Sequence, residues 1–302
     1  MTGYLHFLYA GSLSEFGEPR LLPQSHGWIL ERQIPGFASR DAMSCYPLFS
    51  CANWIGLEED LNRIGSNLVS LAVVTDPFGS YDPAYLRKCF KDIISPFKEH
   101  FVVDLSKRLE SFVSGHHRRN ALTALRKIRV ERCENPIQSV DEWISLYDNL
   151  IARHNIRGIR AFSREVFAKQ FNVPGLSVFK ALHKENTIGM TLWFTHRDIV
   201  YYHLGAYSKE GYELRASFGL FWSAVEYFIT CGYNWLDLGA GSGVSHRDMD
   251  GLARFKHGWS TGTQTAYFCG RIFNQRKYLE IVEKKNISEV QYFPAYRLGE
   301  FD

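Results

Sequence analysis

The order of elements between Tyr201 and Lys256 constrains this chain more than anything else in it: strand, loop, helix, strand and glycine turn, closed by a Phe-Lys pair. Val200 to Tyr207 is aromatic and aliphatic, which suits a partly buried pleated strand. A loop over 208–216 follows. Apolar residues then fall at Phe218, Phe221, Trp222, Val225, Phe228 and Ile229, one face of a helix, and Gly232 stands where a left-handed C-terminal cap is expected. Trp235 to Leu238 returns as the next strand. The turn from Tyr212 to Ser217 leads into the helix, where free backbone N–H groups and the positive end of the macrodipole suit a phosphate or pyrophosphate.

A second motif overlaps this unit. Asn234 to Gly243 nearly spells the strand and glycine turn with which class I methyltransferases approach S-adenosylmethionine. Such a domain needs several further strand and helix units, at roughly 30 residues each, and an acidic residue after the next strand. The chain after Gly243 is too short for that, and Val244 to Gly251 is charged and glycine-interrupted, a poor helix to pack on a parallel sheet. The methyltransferase reading is the least favoured.

Taken together, Tyr201-Tyr202-x-Leu204-Gly205-Ala206-Tyr207, the helix with Leu220 to Ala224, Cys231-Gly232-Tyr233, Leu236 to Gly239 and Gly251 to Lys256 resemble the FemAB/FemX-like branch of the GNAT acyltransferase superfamily. Upstream, His116 to Leu122 followed by Arg126 to Val130 looks like the basic first helix and first strand of that family's catalytic half. The resemblance covers about Ser114 to Ile272. It implies an α/β (α+β) fold with a mixed, largely antiparallel sheet flanked by helices, with two GNAT-like halves in tandem: a degenerate one over 1–112 and a catalytic one over 113–302.

The N-terminal part supports that duplication in outline. Leu68 to Val74 reads as a strand, Thr75 to Gly79 as a turn, and Asp82-Pro83 as an N-cap and first-turn proline before apolar residues at Leu86, Phe90, Ile93 and Ile94. His100 to Leu105 closes the unit as another strand. An unrelated α/β cap fits these residues too. Further on, Ser139 to Glu142 has the form of a capping box, and Ser163 that of a second N-cap. Three strands are expected over 176–183, 187–194 and 198–207, joined by turns short enough for an antiparallel meander.

Composition sets the class. At 302 residues and 45% hydrophobic content the chain can bury a large core in one or two domains. Its six cysteines are scattered without a C-x-x-C pair, which argues against a zinc site or a secreted disulfide framework and for reduced thiols. No leader and no apolar run near the ~18 residues of a membrane span is seen, so the expectation is a soluble, cytoplasmic protein. A net charge of +3 does not demand nucleic acid.

By the resemblance, the amine of an acceptor attacks an activated acyl donor directly, in a gap where the strands at 201–207 and 235–238 splay apart. The donor's carbonyl would lie beside Tyr202, His203 and Leu204, and its phosphates near Leu214, Arg215, Ala216 and Ser217. His203 is the expected base or proton relay, Asp237 the acceptor for the substrate amine, and Lys256, at the family's Phe-Lys position, the group that steadies phosphate or oxyanion. Tyr201 and Arg254 are expected acceptor contacts. Each has a plainer alternative: a core histidine, an aspartate capping a glycine turn, a solvated lysine. No metal is expected. The donor expected is acyl-coenzyme A, on length and the modest net charge, with aminoacyl-tRNA, which the resemblance to FemX-type enzymes implies, as the alternative; Arg215 to Leu220 departs from the usual GNAT pyrophosphate loop, which counts against tight coenzyme A binding without establishing tRNA. That same departure motivates a third reading, a non-catalytic GNAT-like binding protein. Arg118, Arg119, Arg126, Lys127, Arg129 and Arg132 form either a face for tRNA, coenzyme A or an anionic acceptor, or a solvated surface. The acceptor is expected to be a small amine or amino sugar, and no oligomeric state can be read.

Overall fold

Prolines and short polar side chains set where elements begin, and apolar spacing sets what they become. The computed structural model describes residues 1–156, 158, 161–242, 250–287 and 290–300, and divides into two compact units. One comprises residues 4–98 and 265–300 with residue 158; the other, residues 1–3, 99–156 and 161–264.

The first unit opens with α1 (Phe7–Ser12), β1 (Glu18–Leu21), β2 (Trp28–Gln33), β3 (Arg40–Ser44), α2 (Leu57–Ile64), β4 (Ser70–Val74) and α3 (Pro83–Cys89). The strands lie in the order β1-β2-β3-β4, antiparallel except for the parallel pair β3–β4. Asp82 caps α3 as its sequence predicts, accepting the Tyr85 N–H at 2.7 Å, and Pro83 takes the first position, where a donor would be orphaned anyway. The helix is shorter than the apolar spacing implied. It ends at Cys89, and Ile93 and Ile94 begin β5 (Ile93–Asp104), because two β-branched residues and then Pro96 oppose helix.

Within β5 the chain passes into the second unit, which holds α4 (Leu109–Phe112), α5 (Gly115–Leu125), β6 (Arg129–Arg132), α6 (Val140–His154), α7 (Arg164–Gln170), β7 (Leu176–His183), β8 (Asn186–His196), β9 (Ile199–Tyr207), α8 (Lys209–Glu213), α9 (Ala216–Thr230), β10 (Trp235–Asp237) and α10 (Gly251–His257). Its strands run β5-β10-β9-β8-β7-β6, antiparallel apart from the pair β10–β9. The expected meander is present as β7-β8-β9. Lys184 and Glu185 turn the first hairpin with φ of 48° and 63°, the left-handed geometry a two-residue loop needs even without glycine. The loop expected at 208–216 holds the short helix α8.

The second unit packs α5 and α9 on one face of these strands. Trp193, Phe221, Phe228, Leu236 and Trp259 are fully buried there, and each such Phe or Leu contributes about 1.5–3 kcal/mol. Trp143, Tyr147 and Phe167 of α6 and α7 make a separate ring cluster. The capping box does not form: Pro136–Ser139 is a 3-10 turn feeding α6, Ser139 makes no side-chain cap, and Glu142 is drawn instead to Lys180 (2.6 Å) and Thr187. Ser163 does cap α7, accepting from the Val166 N–H.

Finally β11 (Gly262–Ile272) returns the chain to the first unit, where it pairs antiparallel with β4 from Phe268↔Val74 to Ile272↔Ser70, and α11 (Gln275–Lys284) follows. The expected division at 112/113 therefore coincides with no boundary of these units, because a strand from the far end of the sequence completes the N-terminal one.

Candidate active site

A strand that stops early creates the site. β10 has three residues, paired in parallel with Ile199 to Tyr201 on one side and antiparallel with Val102 to Asp104 on the other. Past Asp237 the chain stays with β5: the Leu238 N–H donates to the Phe101 carbonyl at 2.9 Å and the Phe101 N–H to the Gly239 carbonyl at 3.1 Å. β9 runs on to Tyr207, and among the described residues its ladder with β10 ends at Tyr201↔Asp237. The ladder thus ends where the family resemblance implied a gap. β9 is also irregular at this point. One extra residue stands between the pairs Trp193↔Tyr202 and Leu192↔Leu204, and that residue is His203.

At the mouth of the gap Asp237 is buried and its carboxylate is fully engaged. Oδ1 accepts the Gly239 N–H at 2.7 Å, and His100 Nδ1 lies 3.0 and 2.9 Å from the two oxygens. A carboxylate can only accept, so the proton in this contact sits on Nδ1. The pair follows from register. Asp237 is opposite Val102, and His100, two residues along the same strand, points to the same face.

Gly239 joins this pair to Lys256. Its φ of +72° is left-handed, and a Cβ built there would come 3.1 Å from Lys256 Nζ. Lys256 is buried, donates to the Ala240 carbonyl at 2.6 Å, and has Nζ 5.8 Å from the centre of the Tyr202 ring. Two contacts hold the helix that carries it. Asp250 caps α10 by accepting the Ala253 N–H, and its other oxygen accepts from the Ser242 N–H and hydroxyl, all at 2.7 Å. His117 of α5 donates from Nε2 to the Phe255 carbonyl at 2.9 Å, while Ser114 hydrogen-bonds its Nδ1 at 2.8 Å; burial pulls this imidazole below its ordinary pKa. Gly258 must lack a side chain because a Cβ would overlap the His117 ring at 2.1 Å.

The entrance to α9 carries no side-chain cap. Arg215 takes the N-cap position with φ of 59°, and its guanidinium turns back to Asn120 Oδ1; the amide nitrogen of Asn120 lies 2.8 Å from His116 Nε2. Ala216 is fully buried, and Leu214 packs on the core, so this turn presents backbone rather than side chain. Ser217 is half-buried at the first turn of the helix.

The other expected residues are placed as follows. Tyr201 is buried opposite Asp237, Leu204 is half-buried beside the bulge, and Arg254 is exposed on α10. His203 is enclosed by Phe162 and Phe194 with Nε2 3.2 Å from Gln170 Oε1, and burial pulls its pKa down to about 3. Such a ring stays neutral and accepts a proton poorly at neutral pH. The structure thus gathers Asp237, Lys256 and Tyr202 about Gly239, sets His203 apart, and adds His100, which the sequence reading missed. A histidine two residues from the residue opposite Asp237 is visible only once β5 is known to neighbour β10. Gly243 and the charged segment as far as Met249 lie outside the described residues. Among the described residues no group of three or more His, Cys, Asp or Glu is placed to hold a metal ion, and no helix is long and apolar enough to cross a membrane. A cleft of the first unit lined by Asn62, Lys91, Asp92 and Arg271 contains none of the residues above.

Residues 116–256 match the family model of the acetyltransferase (GNAT) domain, a span that begins in α5 and ends on Lys256. The structure of FemX is similar over 91% of this chain and 93% of its own, with a TM-score of 0.67 and 14% identity. The fold is that of the FemAB-like GNAT branch. Two further solved structures share this GNAT fold along nearly their whole length. The C-terminal domain of a putative lysylphosphatidylglycerol synthetase from Agrobacterium fabrum has a TM-score of 0.64 at 14% identity, over 92% of this chain and 91% of that one. L-PGS from Bacillus licheniformis has 0.58 at 14%, over 93% and 96%. No curated protein gives a significant match to the sequence. The domain match together with the FemAB-like fold supports a transferase of acyl or aminoacyl groups.

Proposed function

We propose that the protein moves an acyl group from acyl-coenzyme A to the amine of a small acceptor, by direct attack in the gap between β9 and β10. The observation that carries this reading is the end of the β9–β10 ladder at Tyr201↔Asp237, with the Lys256 amine beside that opening. The thioester lies along the backbone of Tyr202, His203 and Leu204, the residues of β9 just beyond the last rung of that ladder. The phosphates sit at the uncapped first turn of α9, near Leu214, Arg215, Ala216 and Ser217, where aligned N–H groups favour negative charge. Lys256 donates to the oxygen of the carbonyl as charge develops there, Asp237 orients the acceptor side of the gap, and Tyr201 and Arg254 contact the acceptor, an amine or amino sugar. His203 contributes as a neutral ring that fixes the bulge.

A second reading has its own support. Arg118, Arg119, Arg126 and Lys127 of α5 and the turn after it are exposed, and aminoacyl-tRNA is the donor that the resemblance to FemX-type enzymes implies. A GNAT-like binding protein without turnover is the reading left if no donor is accepted.

Thermal shift separates the three. A ligand bound only by the native state adds about 2.7 kcal/mol of stability at a hundred times its Kd. We expect acetyl- or a longer acyl-coenzyme A to raise the melting temperature and S-adenosylmethionine to leave it unchanged. A shift with charged tRNA alone moves the assignment to aminoacyl transfer, and no shift with any donor removes the transferase. Lys256→Ala is expected to lower turnover by about a hundredfold, the size of one lost oxyanion donor; an unchanged rate takes Lys256 out of the site.

A further inference from the structure

We infer that His100 is the proton acceptor for the attacking amine and that Asp237 acts through it as a positioning residue. The inference rests on the acyl-transfer reading above. Asp237 cannot itself meet the amine well: it is 3% exposed, one oxygen already accepts the Gly239 N–H, and both face His100. His100 can. With Nδ1–H held by the carboxylate, the imidazole has its lone pair on Nε2, to which no hydrogen bond is recorded among the described residues, and its side chain retains 11% exposure. Asp237 is the charged side chain that hydrogen-bonds this ring, and the Lys256 amine lies 3.1 Å from where a Cβ of Gly239 would stand, two residues after Asp237. Asp237 lies at the last rung of the β9–β10 ladder, so the imidazole it holds sits beside the residue at which that ladder ends.

The step balances with these groups alone. The amine nitrogen attacks the thioester carbonyl, the C–N bond forms and the C–S bond breaks, and the proton lost by nitrogen passes to His100 Nε2 and from there to the leaving sulfur, which departs as a thiol. Nothing is oxidised or reduced. An Asp-His pair that fixes the tautomer and steadies the imidazolium is a general way to position a base.

Two measurements on the full chain test this. Long-range ¹⁵N correlation spectra at pH 8 are expected to show His100 with a protonated Nδ1 and a bare Nε2, and Asp237→Asn, whose amide can donate in return, to disturb that tautomer. A proton on Nε2 in the wild type overturns the proposal. Thiol release from acetyl-coenzyme A is then followed with a panel of primary amines and amino sugars. His100→Gln should lower kcat about a hundredfold with KM for acetyl-coenzyme A unchanged. A kcat within threefold of wild type also overturns it. Should His100→Gln not fold, Asp237→Asn carries the same kinetic readouts. A wild type that turns over neither acetyl-coenzyme A nor charged tRNA defeats the transferase reading instead, and the tautomer still decides whether the pair exists as described.

Discussion

Gly239 meets two demands at one Cα, a left-handed backbone and clearance for the Lys256 amine. Gly239→Ala is therefore expected to cost about 1–2 kcal/mol from the backbone alone and to push Lys256 off the Ala240 carbonyl; urea denaturation reads the first and acyl transfer the second. His203 makes a different prediction. Its folded pKa is depressed to about 3 by burial, so between about pH 6.5 and 3 the unfolded chain binds more protons than the folded one. Stability is full above the ordinary histidine value and drains away as pH falls through that window, by an amount on the order of a few kcal/mol. In His203→Gln the loss of stability between pH 6.5 and 4 should be shallower than in wild type, and equal slopes would deny the ring its buried, uncharged state. Residue roles were legible unevenly. Lys256 and Asp237 sit in local motifs, while His100 gains its meaning from a strand pairing more than 130 residues away in sequence.

At the level of elements, α10 matters because it is short and carries Lys256. Burial raises the Asp250 pKa, but the Ala253 N–H and the two Ser242 bonds outweigh that and hold the carboxyl below the ordinary range. A depressed carboxylate stabilises above its unfolded pKa and loses that contribution as pH falls through the folded one. Asp250→Ala is expected to cost about 1 kcal/mol as a lost N-cap and to weaken donor binding through Lys256; chemical denaturation at pH 7 and at pH 3 should show the difference narrowing in acid. Caps and strands were the most readable parts of the sequence: Asp82, Ser163 and the three strands of the meander all stand where turn chemistry and apolar alternation put them. Two readings failed for a tertiary reason and a local one. Glu142 was drawn away from its capping box by Lys180 and Thr187 of the neighbouring strands, and the helix at Pro83 yielded to the isoleucines and Pro96.

Across the whole molecule, the least readable property was which segments share a unit. Within the first unit Asp41 is fully buried, bonded by Arg297 at 2.9 and 2.8 Å and 3.5 Å from Arg32, so residues near the C-terminus are tied to β3 by charge. Asp41→Asn would remove the buried carboxylate that Arg32 and Arg297 face and leave them Glu300 and the Gln33 carbonyl, and is expected to cost about 3 kcal/mol; a loss below 1 kcal/mol in urea would mean that these remaining acceptors suffice. Neither the apolar spacing of β11 nor its turns announces that it pairs with β4, nearly two hundred residues earlier. That interleaving bears on synthesis. The N-terminal unit is made first yet lacks a strand until residues 265–272 have left the ribosome, so it must persist unfinished while the other unit is being made. Nascent chains halted just before β11 should therefore display an exposed edge at β4, open to chaperones and to mispairing, which disappears once that final strand emerges.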